Sequence, residues 1–212
     1  MTHRPFLHLA VLLVAMPLTL VTVQAQDLAN ATNIYAFSKP FQASDMVLEN
    51  LRGGRVALSD LRGKVVLVHF WKIQCPACRV EEPLLEWLRK SYGPYGLEIL
   101  GVNLSDSPKS IATHAVGRGF GFPVLFDKAG AFRFESVSFS GKTAAFVVNP
   151  AREAIFEVPG LPTTYVVDCS GKLVARSVGP ARWNSAEAVA FIQKLVTDRR
   201  NCMIANGFGK LY

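Results

Sequence analysis

The chain has 212 residues, half of them apolar and 18% charged, with a formal net charge of +7. This length and apolar content suit one globular domain with a full core. The basic residues are spread along the chain and form no run, so we expect no nucleic-acid partner.

The N-terminal residues have the pattern of an export signal. Arg4 precedes an apolar run over residues 6–23, and Val23-Gln24-Ala25 offers small residues at the positions that a signal peptidase recognises. We therefore expect residues 1–25 to be a signal peptide and the protein to be periplasmic or otherwise exported. The run is also close to the length of a membrane span, so an uncleaved N-terminal anchor is the alternative.

The rest of the chain divides into a linker, a domain and a tail. Residues 26–40 are polar and mixed and are expected to form a loose linker. One domain is expected over residues 41–202, followed by a tail at 203–212. Export also bears on the four cysteines, because thiols in an oxidising compartment tend to pair, here as one catalytic and one structural disulfide.

Turn and strand signals open the predicted domain. Gly53 and Gly54 lie between the apolar runs 46–51 and 55–58, which predicts a β-hairpin. A second turn at 59–64 then leads into the apolar, β-branched run 65–70, the predicted central strand.

The central strand leads to two cysteines, Cys75 and Cys78, at the start of a predicted helix. Pro76 suits the first helical position, where its missing N–H costs nothing. The unsatisfied N–H groups and the dipole at a helix N-terminus favour a thiolate, so Cys75 is the candidate nucleophile. Cys78, one turn further, can reach back to Cys75 and close a disulfide.

Half of a zinc site and a plain structural disulfide are the alternatives for this cysteine pair. A zinc site needs two more ligands at comparable spacing, and Cys169, Cys202, His69 and His114 form no second CxxC and no HxxxH. We therefore expect neither a metal nor a cofactor.

Helix and strand patterns alternate after the cysteines. Val80, Leu84, Trp87 and Leu88 lie at helical spacing, which predicts a helix after Cys75, and Pro83 is expected to kink it. The segments that follow are a strand at 97–104, a helix at 107–116 that Ser107 caps ahead of Pro108, and a strand at 122–126. Such alternation favours an α/β sheet with parallel strands at its centre.

An insertion is predicted over residues of about 128–158. Residues 132–139 alternate between apolar and polar, 140–143 have turn composition, and 144–148 have strand composition. This pattern predicts an inserted β-hairpin, and the alternative is that one of these runs belongs to the main sheet.

The C-terminal part begins with Pro162 at the first residue of a β-branched strand, a position where proline is tolerated. A turn at 168–171 leads to a strand at 172–178. Asn184 and Glu187 are spaced as in a capping box, which predicts a last helix to about Arg199. Cys202 is expected to follow the end of that helix.

Several of these motifs together resemble the TlpA/ResA-like branch of the thioredoxin superfamily, over most of residues 40–199. They are Leu61-Arg62-Gly63-Lys64, Phe70-Trp71, Cys75-Pro76-Ala77-Cys78, Glu81, Pro83, Gly160-Leu161-Pro162-Thr163-Thr164 and Asp168-x-x-Gly171. The resemblance implies an α/β, thioredoxin-like fold with an N-terminal β-hairpin, to which the inserted hairpin would be added. It also implies a cis peptide bond at Pro162.

The resemblance implies that Cys75, Cys78, Glu81 and Pro162 are the catalytic residues, with Glu81 tuning the protonation of the cysteines. The alternative is that Glu81, like its neighbour Glu82, is a solvated residue of the first helical turns.

Substrate contacts are expected from Trp71, Pro76, Ala77, Leu161 and Thr163. Among these, the backbone at Leu161 would offer strand-like hydrogen bonds to an extended segment of the substrate.

The thioredoxin-like fold would also bring the other two cysteines together. The turn at Cys169 and the end of the last helix would both lie at the pole opposite the active site, so we expect a structural disulfide between Cys169 and Cys202. Two unrelated thiols are the alternative.

Three features depart from the family pattern. Gln74 stands where an aromatic residue is common, His69 stands where a small polar residue is common, and the connection from Asp127 to Gly160 is about twice the expected length. Because His69 lies on a buried strand, we expect a satisfied core histidine and not a proton shuttle.

The expected activity is that of an exported thiol-disulfide oxidoreductase. The resemblance implies that it reduces disulfides of exported client proteins, as in cytochrome c maturation, with electrons from a membrane thiol relay. A thiol peroxidase-like enzyme, a copper(I)-binding or delivery module using the same cysteines, and a chaperone-like binder built on the inserted hairpin are the alternatives.

Overall fold

The computed structural model of the protein describes residues 25–127 and 156–205, with the side chains of 27–127 and 156–198. The described part is an eight-stranded mixed sheet with four α-helices and two short 3-10 helices, Leu58–Leu61 and Gly93–Tyr95. The strands are β1 Tyr35–Gln42, β2 Val47–Asn50, β3 Arg55–Ala57, β4 Val65–Trp71, β5 Leu97–Asn103, β6 Val124–Phe126, β7 Thr163–Val167 and β8 Lys172–Val178. The α-helices are α1 Ala25–Thr32, α2 Pro76–Tyr92, α3 Pro108–Arg118 and α4 Ala186–Ala205.

The apolar run that predicted a central strand forms β4, which is buried at all seven residues. The strand order is β1-β8-β7-β4-β5-β6-β2-β3, with β4, β5 and β6 parallel and β7 antiparallel to β4. Alternate residues of β4 enter two different core clusters: Val65 and Leu67 lie in one, and Val66 and Val68 lie in the other. The sheet therefore has apolar cores on both faces, as a near-continuous apolar strand requires.

The predicted N-terminal hairpin forms between β2 and β3. Gly53 and Gly54 both have positive φ, 94° and 76°, which L side chains adopt only rarely. β2 then pairs with β6, so the hairpin extends one edge of the sheet. The predicted inserted hairpin falls almost entirely on residues 128–155, which lie outside the described residues.

The prediction of a loose linker at 26–40 is wrong. These residues form α1 and most of β1, and β1 pairs antiparallel with β8. Leu28 and Ile34 are buried, and the side-chain nitrogen Nδ2 of Asn33 donates to the carbonyl oxygen of Val178 at 2.9 Å. The segment looks polar because most side chains of β1 are exposed, so the pairing depends on backbone groups, which leave no apolar period in the sequence.

The apolar residues at helical spacing in α2 do not mark its buried face. Val80 is 63% exposed and Trp87 is 41% exposed. The residues of α2 that are buried are Cys78, Glu81, Glu82, Leu85 and Leu88. Two of these inward positions hold glutamates, so a search for apolar residues at helical spacing selects a face that is rotated toward solvent.

The last helix differs from its prediction at both ends. Ser185, and not Asn184, caps α4, because its hydroxyl oxygen accepts a hydrogen bond from the Ala188 N–H at 3.2 Å. The helix continues to Ala205, so Cys202 lies within it and does not follow it.

We expect Leu85→Ala to lower the free energy of unfolding by about 2–5 kcal/mol, because Leu85 is fully buried and its truncation leaves a cavity. Val80→Ala, on the exposed face of the same helix, should change it by less than about 0.5 kcal/mol. Urea denaturation of the two variants measures both values. An equal loss in both would mean that α2 packs through the face that carries Val80 and would contradict the prediction.

Candidate active site

Cys75 and Cys78 form a disulfide at the N-terminus of α2. Cys75 is the N-cap residue of the helix, and its sulfur accepts a hydrogen bond from the Cys78 N–H at 3.1 Å. Cys75 is 9% exposed, whereas Cys78 is fully buried. In the reduced protein the same N–H and the helix dipole would stabilise a Cys75 thiolate, and Cys78 would be shielded from large reactants.

Both backbone polar groups of Ile73, in the loop that precedes Cys75, are hydrogen-bonded to side chains. The Ile73 N–H donates to Oδ2 of Asp106 at 2.8 Å, and that carboxylate also accepts from Nδ2 of Asn103 at 2.9 Å. The guanidinium of Arg79 donates to the Ile73 carbonyl oxygen at 3.1 and 3.2 Å. Sequence reasoning missed Asp106 and Arg79; the only available signal was a polar residue just beyond the carboxyl end of β5, beside the end of β4.

Pro83 lies within α2, and the helix continues past it to Tyr92. Proline has no N–H for the carbonyl four residues earlier, that of Arg79. Nη2 of Arg118 donates to this Arg79 carbonyl at 3.0 Å. Arg118 of α3 therefore compensates for the hydrogen bond that Pro83 removes.

Glu82 is 2% exposed, which rules out the alternative of a solvated residue. Its Oε2 accepts from Nε of Arg118 at 2.6 Å, and its Oε1 lies 2.9 Å from Nε2 of His114. Both carboxylate oxygens thus have partners on α3, as a buried charge requires. These contacts tie the first half of α2 to the C-terminal half of α3.

Glu81 is fully buried and lies one turn after Cys78 on the same face of α2. Its Oε1 accepts two hydrogen bonds, from the Ala181 N–H at 2.6 Å and from Nε1 of Trp183 at 2.9 Å. Its Oε2 has no hydrogen-bond partner and lies 3.6 Å from Nδ1 of His69. Burial raises the pKa of Glu81 to about 7, against which the two hydrogen bonds act.

His69 fits only half of the expectation of a satisfied core histidine. Its Nδ1 lies 2.9 Å from Oγ1 of Thr164, but its Nε2 has no hydrogen-bond partner. The ring is 1% exposed, and burial lowers the pKa of His69 to about 3. The side chain is therefore a neutral imidazole beside the Glu81 carboxyl group.

Pro162 has the expected cis peptide bond to Leu161. The next residue, Thr163, pairs with Phe70 of β4, so Pro162 lies at the end of the sheet where β4 leads to Cys75. Leu161 is half-buried and packs against both core clusters.

The five predicted substrate contacts divide into two groups. Pro76 is exposed, and Ala77 and Leu161 are half-buried, so these three can be reached from solvent. The side chain of Thr163 is fully buried and donates to the Gly160 carbonyl oxygen at 2.7 Å. Trp71 is also fully buried, so the predicted substrate contacts of these two side chains are not made in this conformation.

Trp71 is a core residue because β4 is buried on both faces up to its last position. The indole packs against the rings of His114 and Phe120, with centroids 5.3 and 5.5 Å away. Trp71 therefore belongs to the core below the site and does not line its surface.

Cys169 is 2% exposed and is disulfide-bonded. The side chain of Cys202 lies outside the described residues, so its pairing with Cys169 stays a prediction. Within residues 25–127 and 156–205, no group of three His, Cys, Asp or Glu side chains is placed to hold a metal ion.

Known proteins resemble this chain in both sequence and fold. A model of the AhpC/TSA family matches residues 41–176. The chain is 29% identical over 172 residues to the thiol-disulfide oxidoreductase ResA of Bacillus subtilis, covering 81% of this chain and 83% of that protein. It is 33% identical over 141 residues to the thioredoxin-like protein YneN of the same organism, covering 65% and 70%.

Two solved structures show the fold to be thioredoxin-like. A thiol:disulfide interchange protein of the thioredoxin family from Chlorobium tepidum has a TM-score of 0.55 and 22% identity, covering 76% of this chain and 99% of that chain. A secreted thiol-disulfide isomerase from Corynebacterium glutamicum has a TM-score of 0.59 and 18% identity, covering 79% and 92%.

The raised pKa of Glu81 predicts a stability difference that depends on pH. The folded protein binds the Glu81 proton up to about pH 7 and the unfolded chain releases it near pH 4.5, so Glu81 makes the free energy of unfolding fall as the pH rises through this window. The residue at position 81 cannot titrate in Glu81→Gln. The free energy of unfolding of this variant, relative to that of the wild type, should therefore rise by about 3 kcal/mol from pH 4 to pH 8. His69, whose pKa is lowered to about 3, makes the free energy of unfolding rise with pH up to about pH 6.5, but His69 is present in both proteins. Urea denaturation at both pH values measures the difference, and an equal difference at the two values would contradict the prediction.

Proposed function

This chain belongs to the AhpC/TSA family and is a thioredoxin-like thiol-disulfide oxidoreductase, and from that premise we propose that Cys75 and Cys78 are its redox pair and that it reduces disulfides of exported proteins. The observation that carries the proposal is the asymmetric pair at the start of α2. Cys75 is the more exposed cysteine and caps the helix, whereas Cys78 is fully buried behind it.

The geometry of the pair supports two successive exchange steps. In the reduced protein, the Cys75 thiolate attacks one sulfur of the client disulfide, and the other client sulfur leaves as a thiolate. The Cys78 thiolate then attacks Cys75, which releases the second client sulfur and leaves the Cys75–Cys78 disulfide. The client gains two electrons and the protein loses two.

Glu81 is the proposed proton acceptor for Cys78. Both residues are fully buried, lie on one face of α2 and are three positions apart, a spacing that brings side chains together on a helix. A carboxylate whose pKa is raised to about 7 is matched to proton transfer near neutral pH.

The client would bind where the surface around the pair is reachable. Pro76 is exposed and Ala77 and Leu161 are half-buried, and the sheet register places Pro162 at the same end of the sheet as the cysteines. An extended client segment would lie over these residues and hydrogen-bond to the backbone at Leu161.

The reducing direction needs an electron donor, and a membrane thiol relay is the proposed partner. Maturation of exported cytochromes c is one setting in which such a reductase would act. The relationship to ResA supports this proposal, as does the apolar N-terminal segment with its candidate cleavage site.

The proposed export predicts cleavage after Ala25. Mass spectrometry of the protein isolated from its native host should give a mature chain that begins at Gln26, whereas an intact N-terminus would support a membrane anchor. Within the part of the chain that the structure describes, no helix is long and apolar enough to cross a bilayer.

We expect Cys75→Ser to abolish exchange with a disulfide-linked peptide, because the attacking thiolate is gone. Cys78→Ser should still attack but should accumulate the mixed disulfide, which nonreducing electrophoresis detects as a stable adduct. Exchange at the wild-type rate in Cys75→Ser would contradict the assignment of the nucleophile. A test for hydrogen peroxide consumption by the same variants distinguishes the peroxidase alternative.

The reducing direction predicts a low reduction potential for the Cys75–Cys78 pair. Equilibration of the wild-type protein with dithiothreitol or glutathione should give a value near or below that of thioredoxin, about −270 mV. A value near about −120 mV would instead identify an oxidant that introduces disulfides and would overturn the proposed direction.

A further inference from the structure

A row of buried polar side chains crosses the centre of the sheet. His69 of β4 pairs in register with Thr164 of β7, and Thr164 pairs with Ser177 of β8, so the three side chains lie on one face of neighbouring strands. All three are at most 1% exposed. Glu81 of α2 packs onto this row through its contact with His69.

Unpartnered atoms are concentrated in this row. Among the described residues, four buried side-chain nitrogen or oxygen atoms have no hydrogen-bond partner, and three of them belong to His69, Glu81 and Ser177. Buried polar atoms without partners lower stability, so their presence together needs a reason other than folding.

The two oxygens of Glu81 have different environments. Oε1 is fixed by the Ala181 N–H and by the Trp183 indole, whereas Oε2 accepts no hydrogen bond. Oε2 is therefore the oxygen that can take up a proton. The imidazole of His69 faces it, with Nδ1 at 3.6 Å. In so dry a place, loss of the Glu81 proton leaves a buried negative charge, so an N–H donor that faces Oε2 has a large effect on the carboxylate.

Among the described residues, the groups named as neighbours of His69 and Glu81 carry no charge. The strand neighbours of His69 are Gly101 on β5 and Thr164 on β7. The contacts of Glu81 come from a backbone N–H and an indole in the segment after β8, and Cys78 precedes it on α2. The adjacent Glu82 is engaged by Arg118 and His114 of α3.

We propose that His69 is a positioning residue for the second exchange step: it holds the proton-accepting oxygen of Glu81 in its carboxylate form and so sets the pH range in which Glu81 takes the proton of Cys78. The inference rests on the proposed function. In this step the S–H bond of Cys78 breaks and its proton goes to Oε2 of Glu81. The Cys78 thiolate then forms the bond to Cys75 as the bond from Cys75 to the client sulfur breaks, and the client thiolate takes a proton from solvent.

The direction of the effect follows from the groups that face Nδ1. When Glu81 is ionised, its Oε2 can only accept, and the Thr164 hydroxyl can accept as well, so the neutral ring is then most stable with its proton on Nδ1. An N–H facing Oε2 stabilises the carboxylate over the protonated acid. Removal of His69 should therefore make Glu81 hold its proton to higher pH and slow the second step below that pH.

The test is the first-order rate at which a fluorescent peptide is released from its mixed disulfide with Cys75, measured from pH 5 to pH 9. His69→Leu should shift the midpoint of the pH profile upward by at least about one pH unit, a tenfold change in the proton dissociation constant. His69→Asn keeps an N–H donor near the position of Nδ1 and should lie closer to the wild type. Glu81→Gln should lose this midpoint, and adding His69→Leu to it should change the profile no further.

His114→Asn is the matched control, because His114 also contacts a buried glutamate of α2 but one whose two oxygens are both engaged. It should leave the midpoint in place. A wild-type midpoint in His69→Leu, or a shift that persists in the Glu81→Gln background, would overturn the proposal. If the wild-type protein releases no peptide at any pH, the proposed function itself fails and the inference fails with it.

A second measurement keeps the proposal falsifiable if His69→Leu does not fold. Carbon NMR of labelled Glu81 in the oxidised protein, with Glu81→Gln to assign the signal, follows the carboxyl group without a thiol pair that titrates. Its midpoint should fall in Thr164→Val, because Nδ1 of His69 then loses its hydroxyl partner and its N–H is left to Oε2 of Glu81 alone. A midpoint that stays in place or rises in Thr164→Val would overturn the proposal.

Discussion

The burial of two adjacent carboxyl groups in α2 is the constraint on which the site depends. A carboxylate in a core must be paired or must bind a proton, and the protein uses both solutions side by side. Glu82 is paired with Arg118 and His114, which ties α2 to α3. Glu81 is held through one oxygen by the segment after β8, which ties α2 to the sheet, and its other oxygen remains able to bind a proton. These ties fix the helix start that carries Cys75.

Local signals were sufficient for much of the fold. The β4 run, the glycine turn between β2 and β3, the Ser107 cap and the turn after β7 are each set by neighbours in sequence, and each formed where it was predicted. The elements at 25–42 were missed because α1 is short and β1 joins the sheet through backbone groups. The spacing of apolar residues predicts α2 but not its buried face, because its inward positions include charged side chains whose partners come from distant segments.

The candidate site divides in the same way. Cys75 and Cys78 could be identified from their own spacing and from the proline between them. The roles of Asp106 and His69 depend on contacts with residues far away in sequence, such as the bond between Asp106 and the Ile73 N–H. Trp71 illustrates the opposite error, since an aromatic residue beside a motif suggests contact with a substrate, whereas a strand buried on both faces leaves its side chain in the core.

The edge strand β1 also bears on the solubility of the protein. An open sheet edge presents unpaired backbone groups to which a strand from another molecule can add, and lysine, proline and bulges are the usual features that prevent this. β1 contains Lys39 and Pro40, and its register with β8 shifts between Ala36 and Phe41. At the other edge of the sheet, β3 has only three residues. The described sheet is therefore a poor template for strand addition at either edge, which limits its aggregation with other extended chains.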